Sequence, residues 1–158
     1  MNKKNILLIF GFGYTAKFMC QKFSKKNWEV FCTTRFKKKA KEIESLNATP
    51  VFFDDEEKVE SILSKNSYIL STAPPENGKD PVIENYGYLF KKNSERIKWA
   101  GYLSTTSVYG DKKGGWVTED TVLKPKLKRS ISRVAAEKSW LRFGENFSIK
   151  TMIFRLAG

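Results

Sequence analysis

Three groups of residues in this 158-residue chain have types and spacings suited to chemistry. The first is Gly11-Phe12-Gly13-Tyr14-Thr15-Ala16, set directly after the apolar run Ile6-Leu7-Leu8-Ile9-Phe10 and directly before a helical pattern. Gly11 permits a tight turn there, and Gly13, lacking Cβ, lets the backbone approach a pyrophosphate. Ala16 is small enough for the helix to pack close to the strand. The first-turn N–H groups then face the phosphates, aided by the helix dipole. The spacing is that of a dinucleotide-binding turn, with a glycine turn that holds no ligand as the plainer alternative.

The second group follows the second strand. A dinucleotide-binding unit commonly places Asp or Glu about 20 residues beyond its glycines, on the ribose 2′-hydroxyl. Here that strand ends Thr33-Thr34-Arg35, with no acid. The Arg35 fork suits a 2′-phosphate, so the sequence favours NADP(H) over NAD(H), with Lys37 and Lys38 as helpers. The plainer alternative is an arginine that merely starts a solvated helix.

The elements that must position these residues alternate. Strands are expected at residues 6–10, 28–34, 49–53, 67–72, 99–104 and 148–156. Helices are expected at 14–26, 37–46, 56–63, 81–98 and 129–143, with an irregular stretch at 105–128. Alternation of this kind means βαβ units and right-handed crossovers. The expected fold is therefore α/β, a Rossmann-type doubly wound parallel sheet of about six strands with helices on both faces. A single NAD(P)-binding domain spans 1–158.

Composition narrows the chemistry. The chain has no histidine, so Ser-His-Asp triads, Cys-His pairs and His-bearing zinc sites are excluded. Cys20 and Cys32 lie in apolar stretches without CxxC spacing and read as buried thiols. No metal site is expected. The net charge of +12 comes from scattered lysines with no basic-aromatic module, so it reads as solvated surface and not as a nucleic-acid footprint. Only a run of five apolar residues, Ile6 to Phe10, precedes Gly11, too short for a secretory leader or a membrane span. A cytoplasmic protein with no membrane partner is expected.

The third group carries a resemblance. The glycine turn, Asp54, Ser71-Thr72-Ala73-Pro74-Pro75 and Ser104-Thr105-Thr106-Ser107-Val108-Tyr109-Gly110 occur in order. Together they resemble the extended short-chain dehydrogenase/reductase superfamily, also called the NAD-dependent epimerase/dehydratase family. The resemblance implies that Asp54 meets the adenine edge, that Ser71, Thr72, Ala73 and Pro74 run beneath the ribose and nicotinamide, and that Thr105 hydrogen-bonds the substrate oxygen. It also implies a Tyr-x-x-x-Lys pair on the next helix, where lysine depresses the tyrosine pKa for proton transfer. Counting back from Glu137, this chain has Arg129 at the tyrosine position and Arg133 at the lysine position. Arginine cannot take over that proton transfer, although it can hold a phosphate, a carboxylate or the nicotinamide ribose. The candidate catalytic residues are accordingly Thr105, Arg129 and Arg133.

Two functions lead at this level, and nucleic-acid binding through the basic surface is a third with only the charge behind it. One is an NADP(H)-dependent oxidoreductase, epimerase or dehydratase acting on a small polar or nucleotide-linked substrate. The other is a non-catalytic, regulatory dinucleotide-binding protein. The family's substrate-binding C-terminal lobe is expected to be absent, making the chain either a fragment or a minimal variant; an exposed last strand would then favour homo-oligomerisation or low stability. In the loop after Tyr109, Trp116 is expected to pack the loop onto the sheet in preference to acting as a lid.

Overall fold

A computed structural model describes residues 4–157. Its six strands, β1 (Asn5–Phe10), β2 (Trp28–Thr34), β3 (Thr49–Phe52), β4 (Ser67–Ser71), β5 (Ile97–Thr105) and β6 (Thr151–Leu156), form one parallel sheet. The order is β3-β2-β1-β4-β5-β6. Five helices connect them: α1 (Tyr14–Ser24), α2 (Lys37–Ser45), α3 (Glu56–Leu63), α4 (Pro81–Lys92) and α5 (Lys128–Phe147).

The apolar run of β1 explains the layers. Successive side chains point to opposite faces. Ile6, Leu8 and Phe10 enter a core with Val59, Leu89 and Trp140 of α3, α4 and α5. Leu7 and Ile9 enter a second core with Ala16, Cys20 and Ile43 of α1 and α2. Leu8, Ile9 and Phe10 are fully buried, each worth about 1.5–3 kcal/mol relative to exposure. Both thiols are buried, as expected. The expected fold class holds, with helices on both faces.

Several boundaries differ from expectation. The helix expected to reach residue 98 ends at Lys92, because Asn93 caps it and a short 3-10 turn at Ser94–Arg96 releases Ile97 into β5. The helix expected to end at 143 runs to Phe147 through Gly144, stopping where Ser148 adopts φ +55°. A Cβ on Gly144 would lie 2.7 Å from Thr151 Cβ and 2.8 Å from the Ile149 carbonyl, so glycine serves close helix–strand packing here, not termination. β6 accordingly starts at Thr151 instead of residue 148.

Candidate functional site

β1 has β2 on one side and β4 on the other, so connections from β1 and β4 diverge to opposite faces. Open α/β sheets leave a crevice at such a switch point, outside the carboxyl ends of the strands. The glycine turn sits there. Gly11 has φ +93°, and a Cβ on it would lie 2.9 Å from Thr72 Oγ1 and 3.2 Å from the Ala73 nitrogen. Its N–H donates to Thr33 Oγ1 at 2.9 Å, tying the turn to the end of β2. Gly13 caps α1 with no side-chain hydrogen bond, no acid stands in the first turn, and a Cβ on Gly13 would meet nothing within 4 Å. That open, uncapped helix start fits a pyrophosphate.

A cavity of about 330 Å³ opens beside the turn, lined by Gly11, Phe12, Gly13, Arg35, Thr72, Ala73 and Pro74 among others. Arg35 stacks 4.8 Å from the Phe53 ring centroid and donates to Glu76 Oε1 at 2.7 Å. Phe53, Glu76 and Lys39 line the same cavity. Sequence reasoning passed over all three. Glu76-Asn77-Gly78-Lys79 is a tight turn closed by two backbone hydrogen bonds of 2.9 Å, with Asn77 and Gly78 at positive φ. The Asn-Gly pair signals such a turn, and that turn is what carries Glu76 to Arg35.

The remaining residues of the first two groups spread around this cavity. Tyr14 is exposed at the start of α1, Thr15 is half-buried, and Ala16 is buried beneath the turn. Lys39, and neither Lys37 nor Lys38, reaches the cavity. Lys37 and Asp54 instead flank a shallow depression on the far side of Arg35. Ser71 is fully buried within the sheet, whereas Thr72 Oγ1 donates to the Phe10 carbonyl at 3.0 Å and forms cavity wall.

A second cavity, of about 1050 Å³, adjoins the first at Pro74, which lines both. It brings together Thr105, Arg129 and Arg133, separated by up to 28 positions in the chain, with Lys128, Ser107 and Ser132. Thr105 ends β5, and its Oγ1 accepts from the Ser107 N–H at 3.2 Å. Arg133 is anchored: it donates to the Tyr102 hydroxyl and the Leu103 carbonyl, each at 2.9 Å. Burial pushes the Tyr102 hydroxyl up to about 12 despite that neighbouring guanidinium. Tyr102 is therefore held as the neutral phenol near neutral pH.

Glu137 sits deeper on α5. It accepts from Ser104 Oγ at 2.5 Å and from Arg155 Nη2 at 2.9 Å, while Arg155 also donates to the Tyr109 hydroxyl at 2.8 Å. This buried network fixes the ends of β5 and β6 behind the cavity. Tyr109 is therefore a structural partner of Arg155. Trp116 does not pack the loop onto the sheet: its side chain is wholly exposed, because the flanking Gly114 and Gly115 carry it on a turn closed by the Gly115-to-Lys112 backbone bond.

No family model matches the chain. Among solved structures, a conserved protein of unknown function from Silicibacter pomeroyi DSS is 33% identical, with a TM-score of 0.87 over 98% of this chain and 53% of the other. UDP-glucuronic acid 4-epimerase from Bacillus cereus, in complex with NAD, is 23% identical, with a TM-score of 0.71 over 96% and 56%. A dTDP-glucose 4,6-dehydratase from Bacillus anthracis str. Ames, also with NAD, is 20% identical, with a TM-score of 0.69 over 96% and 54%. The chain spans about half the length of each of these proteins. The chain thus has the Rossmann-type fold found in NAD-dependent epimerase and dehydratase structures, with the glycine turn at its switch point.

Proposed function

We propose that the chain binds a nicotinamide dinucleotide along this groove, NADP(H) in preference to NAD(H), as the cofactor-binding part of an oxidoreductase, epimerase or dehydratase. The substrate would be small and polar or nucleotide-linked. The observation that carries the reading is the open glycine turn, with Gly13 and the uncapped start of α1 facing the cavity that Arg35 lines. The epimerase and dehydratase structures that share the fold were obtained with NAD, which supports the cofactor class.

When bound, the cofactor would supply a hydride donor or acceptor. The chain's own residues would hold and orient. Gly11 to Ala16 would seat the pyrophosphate; Thr72, Ala73 and Pro74 would support the stretch leading to the second cavity, and Thr105 would orient a substrate oxygen. Arg35 supports the 2′-phosphate reading because its pair with Glu76 is about half exposed on both sides. Such a pair is worth about 0–1 kcal/mol, so a phosphate can displace the carboxylate.

A second reading, dinucleotide binding without turnover, is favoured by one observation: among the residues lining the second cavity, none has an ordinary pKa near neutrality. NADPH and NADH titrations by tryptophan fluorescence, beside hydride turnover on a broad substrate panel, test both readings. Arg35→Ala should weaken NADPH about tenfold or more and leave NADH nearly unchanged. An unaltered NADPH-to-NADH ratio overturns the NADP(H) reading, and binding without turnover favours the second.

A further inference from the structure

The second cavity has a charge pattern that dinucleotide binding does not explain. Lys128, Arg129 and Arg133 line its wall, and no carboxylate does. The nearby acids are engaged elsewhere. Glu137 is buried and spent on Arg155 and Ser104. Asp80 is buried near Arg133 and caps α4 through the N–H groups of Val82 and Ile83. Lys128 and Arg129 are exposed and, among the described residues, form no ion pair.

Their position is also unfavourable for folding. Both stand in the first turn of α5, which has no acid and no side-chain cap. Cations at the positive end of a helix dipole destabilise it. A local conflict of this kind, kept where a cavity opens, points to a ligand that resolves it. Hydroxyls surround the same space: those of Thr106 and Ser132, and those of Thr105, which donates to Ser107 at 3.3 Å, and Ser107, which pairs with Ser130 at 2.9 Å. The set has charge and hydrogen-bond donors for an oxyanion, and no carboxylate stands on the wall.

We infer that the second cavity takes an oxyanion carried by the substrate, a phosphate or a carboxylate, with Lys128 and Arg129 as its charged partners. The inference rests on the proposed reading of this groove as the substrate side of a dinucleotide site, and it makes the substrate class anionic. Arg133, pinned to Tyr102 and the Leu103 carbonyl, keeps the wall in place.

The test uses the full chain, isotope-labelled, and follows backbone amides while inorganic pyrophosphate, succinate or NADPH is added separately. Pyrophosphate and succinate represent the phosphate and carboxylate sources. The account expects saturable shifts at residues 104–110 and 128–133 for at least one anion. In Lys128→Gln/Arg129→Gln the affinity for that anion should fall about tenfold or more. Both side chains are exposed, so the variant should fold, with a melting temperature equal to or above that of the wild type. Anion shifts confined to residues 11–16, no shifts at all, or an unchanged affinity in the double variant overturns the inference. NADPH shifts at 11–16 without anion shifts at 128–133 sink this inference alone. Anion shifts at 128–133 with no NADPH binding keep it and sink the cofactor reading.

Discussion

Replacing Gly11 by alanine separates the structural glycine of the turn from the ligand-facing one. At φ +93° an alanine backbone is strained by about 1–3 kcal/mol. Its Cβ would also press on Thr72 Oγ1 at 2.9 Å and the Ala73 nitrogen at 3.2 Å. Thr72 is held by two bonds to the Phe10 carbonyl, 2.8 Å from its N–H and 3.0 Å from its hydroxyl. Yielding therefore disturbs the β1–β4 seam, and overpacking of this sort costs about 1–3 kcal/mol. The sum, about 2–6 kcal/mol, is a large share of the 5–15 kcal/mol typical of a domain. Gly13→Ala is the control, with φ −93° and open space around the new Cβ. It should cost under about 1 kcal/mol, yet place a methyl group where the pyrophosphate approaches. Urea unfolding followed by far-UV circular dichroism compares the two, and NADPH titration of each follows. Equal stabilities, or full NADPH binding by Gly13→Ala, would refute the division of roles.

Other variants probe the surroundings. Glu137→Gln leaves Arg155 without its charge partner in a buried site and should cost about 3–5 kcal/mol in denaturant unfolding; a loss below 1 kcal/mol would mean that the network is not structural. Burial raises the Asp80 carboxyl above its ordinary value, outweighing its bonds to Ile83 and Val82. Its stabilising share is therefore complete below the unfolded pKa of about 4 and lost as pH rises through the raised native value. Asp80→Asn should consequently lose that part of the pH slope in thermal melts, gaining relative to wild type from pH 4 toward neutrality; a constant difference would contradict this. Trp116→Ala should change stability by less than about 0.5 kcal/mol, since the ring is exposed. Glu76→Gln weakens the hold on Arg35 and should raise the NADPH-to-NADH affinity ratio; an unchanged or lowered ratio would contradict competition between Glu76 and the phosphate for Arg35.

Much of the fold is written locally. Ile6 to Phe10, closed by Gly11, announces a doubly buried strand, and Gly13 and Ala16 announce the helix that follows. The end of α4 was not legible because Ile97 continues the helical spacing of Tyr86 and Phe90, and only the pairing of Ile97 with Ser67 of β4 claims it for the sheet. The run of α5 past residue 143 was not legible for a related reason, since the space that Gly144 leaves is taken by Thr151 and Ile149 across a later turn. At the site, Arg129 and Arg133 were visible by counting from Glu137. The Arg35–Glu76 pair spans 41 positions, and its carboxylate arrives on a hairpin from the other side of β1, so no local pattern joins the two. Trp116 shows the converse limit: composition suggests an anchor, and only the geometry of its glycine turn shows the ring directed to solvent.

The central claim is that a nicotinamide dinucleotide lies over Gly11 to Ala16. Backbone-amide mapping of NADPH and NADH on the wild-type chain tests it most directly. The account predicts saturable shifts at Gly11, Gly13, Tyr14, Thr15 and Ala16 and at Arg35, with tighter binding of NADPH. Saturation without shifts at the glycine turn, or no saturation by either nucleotide at millimolar concentration, would contradict it.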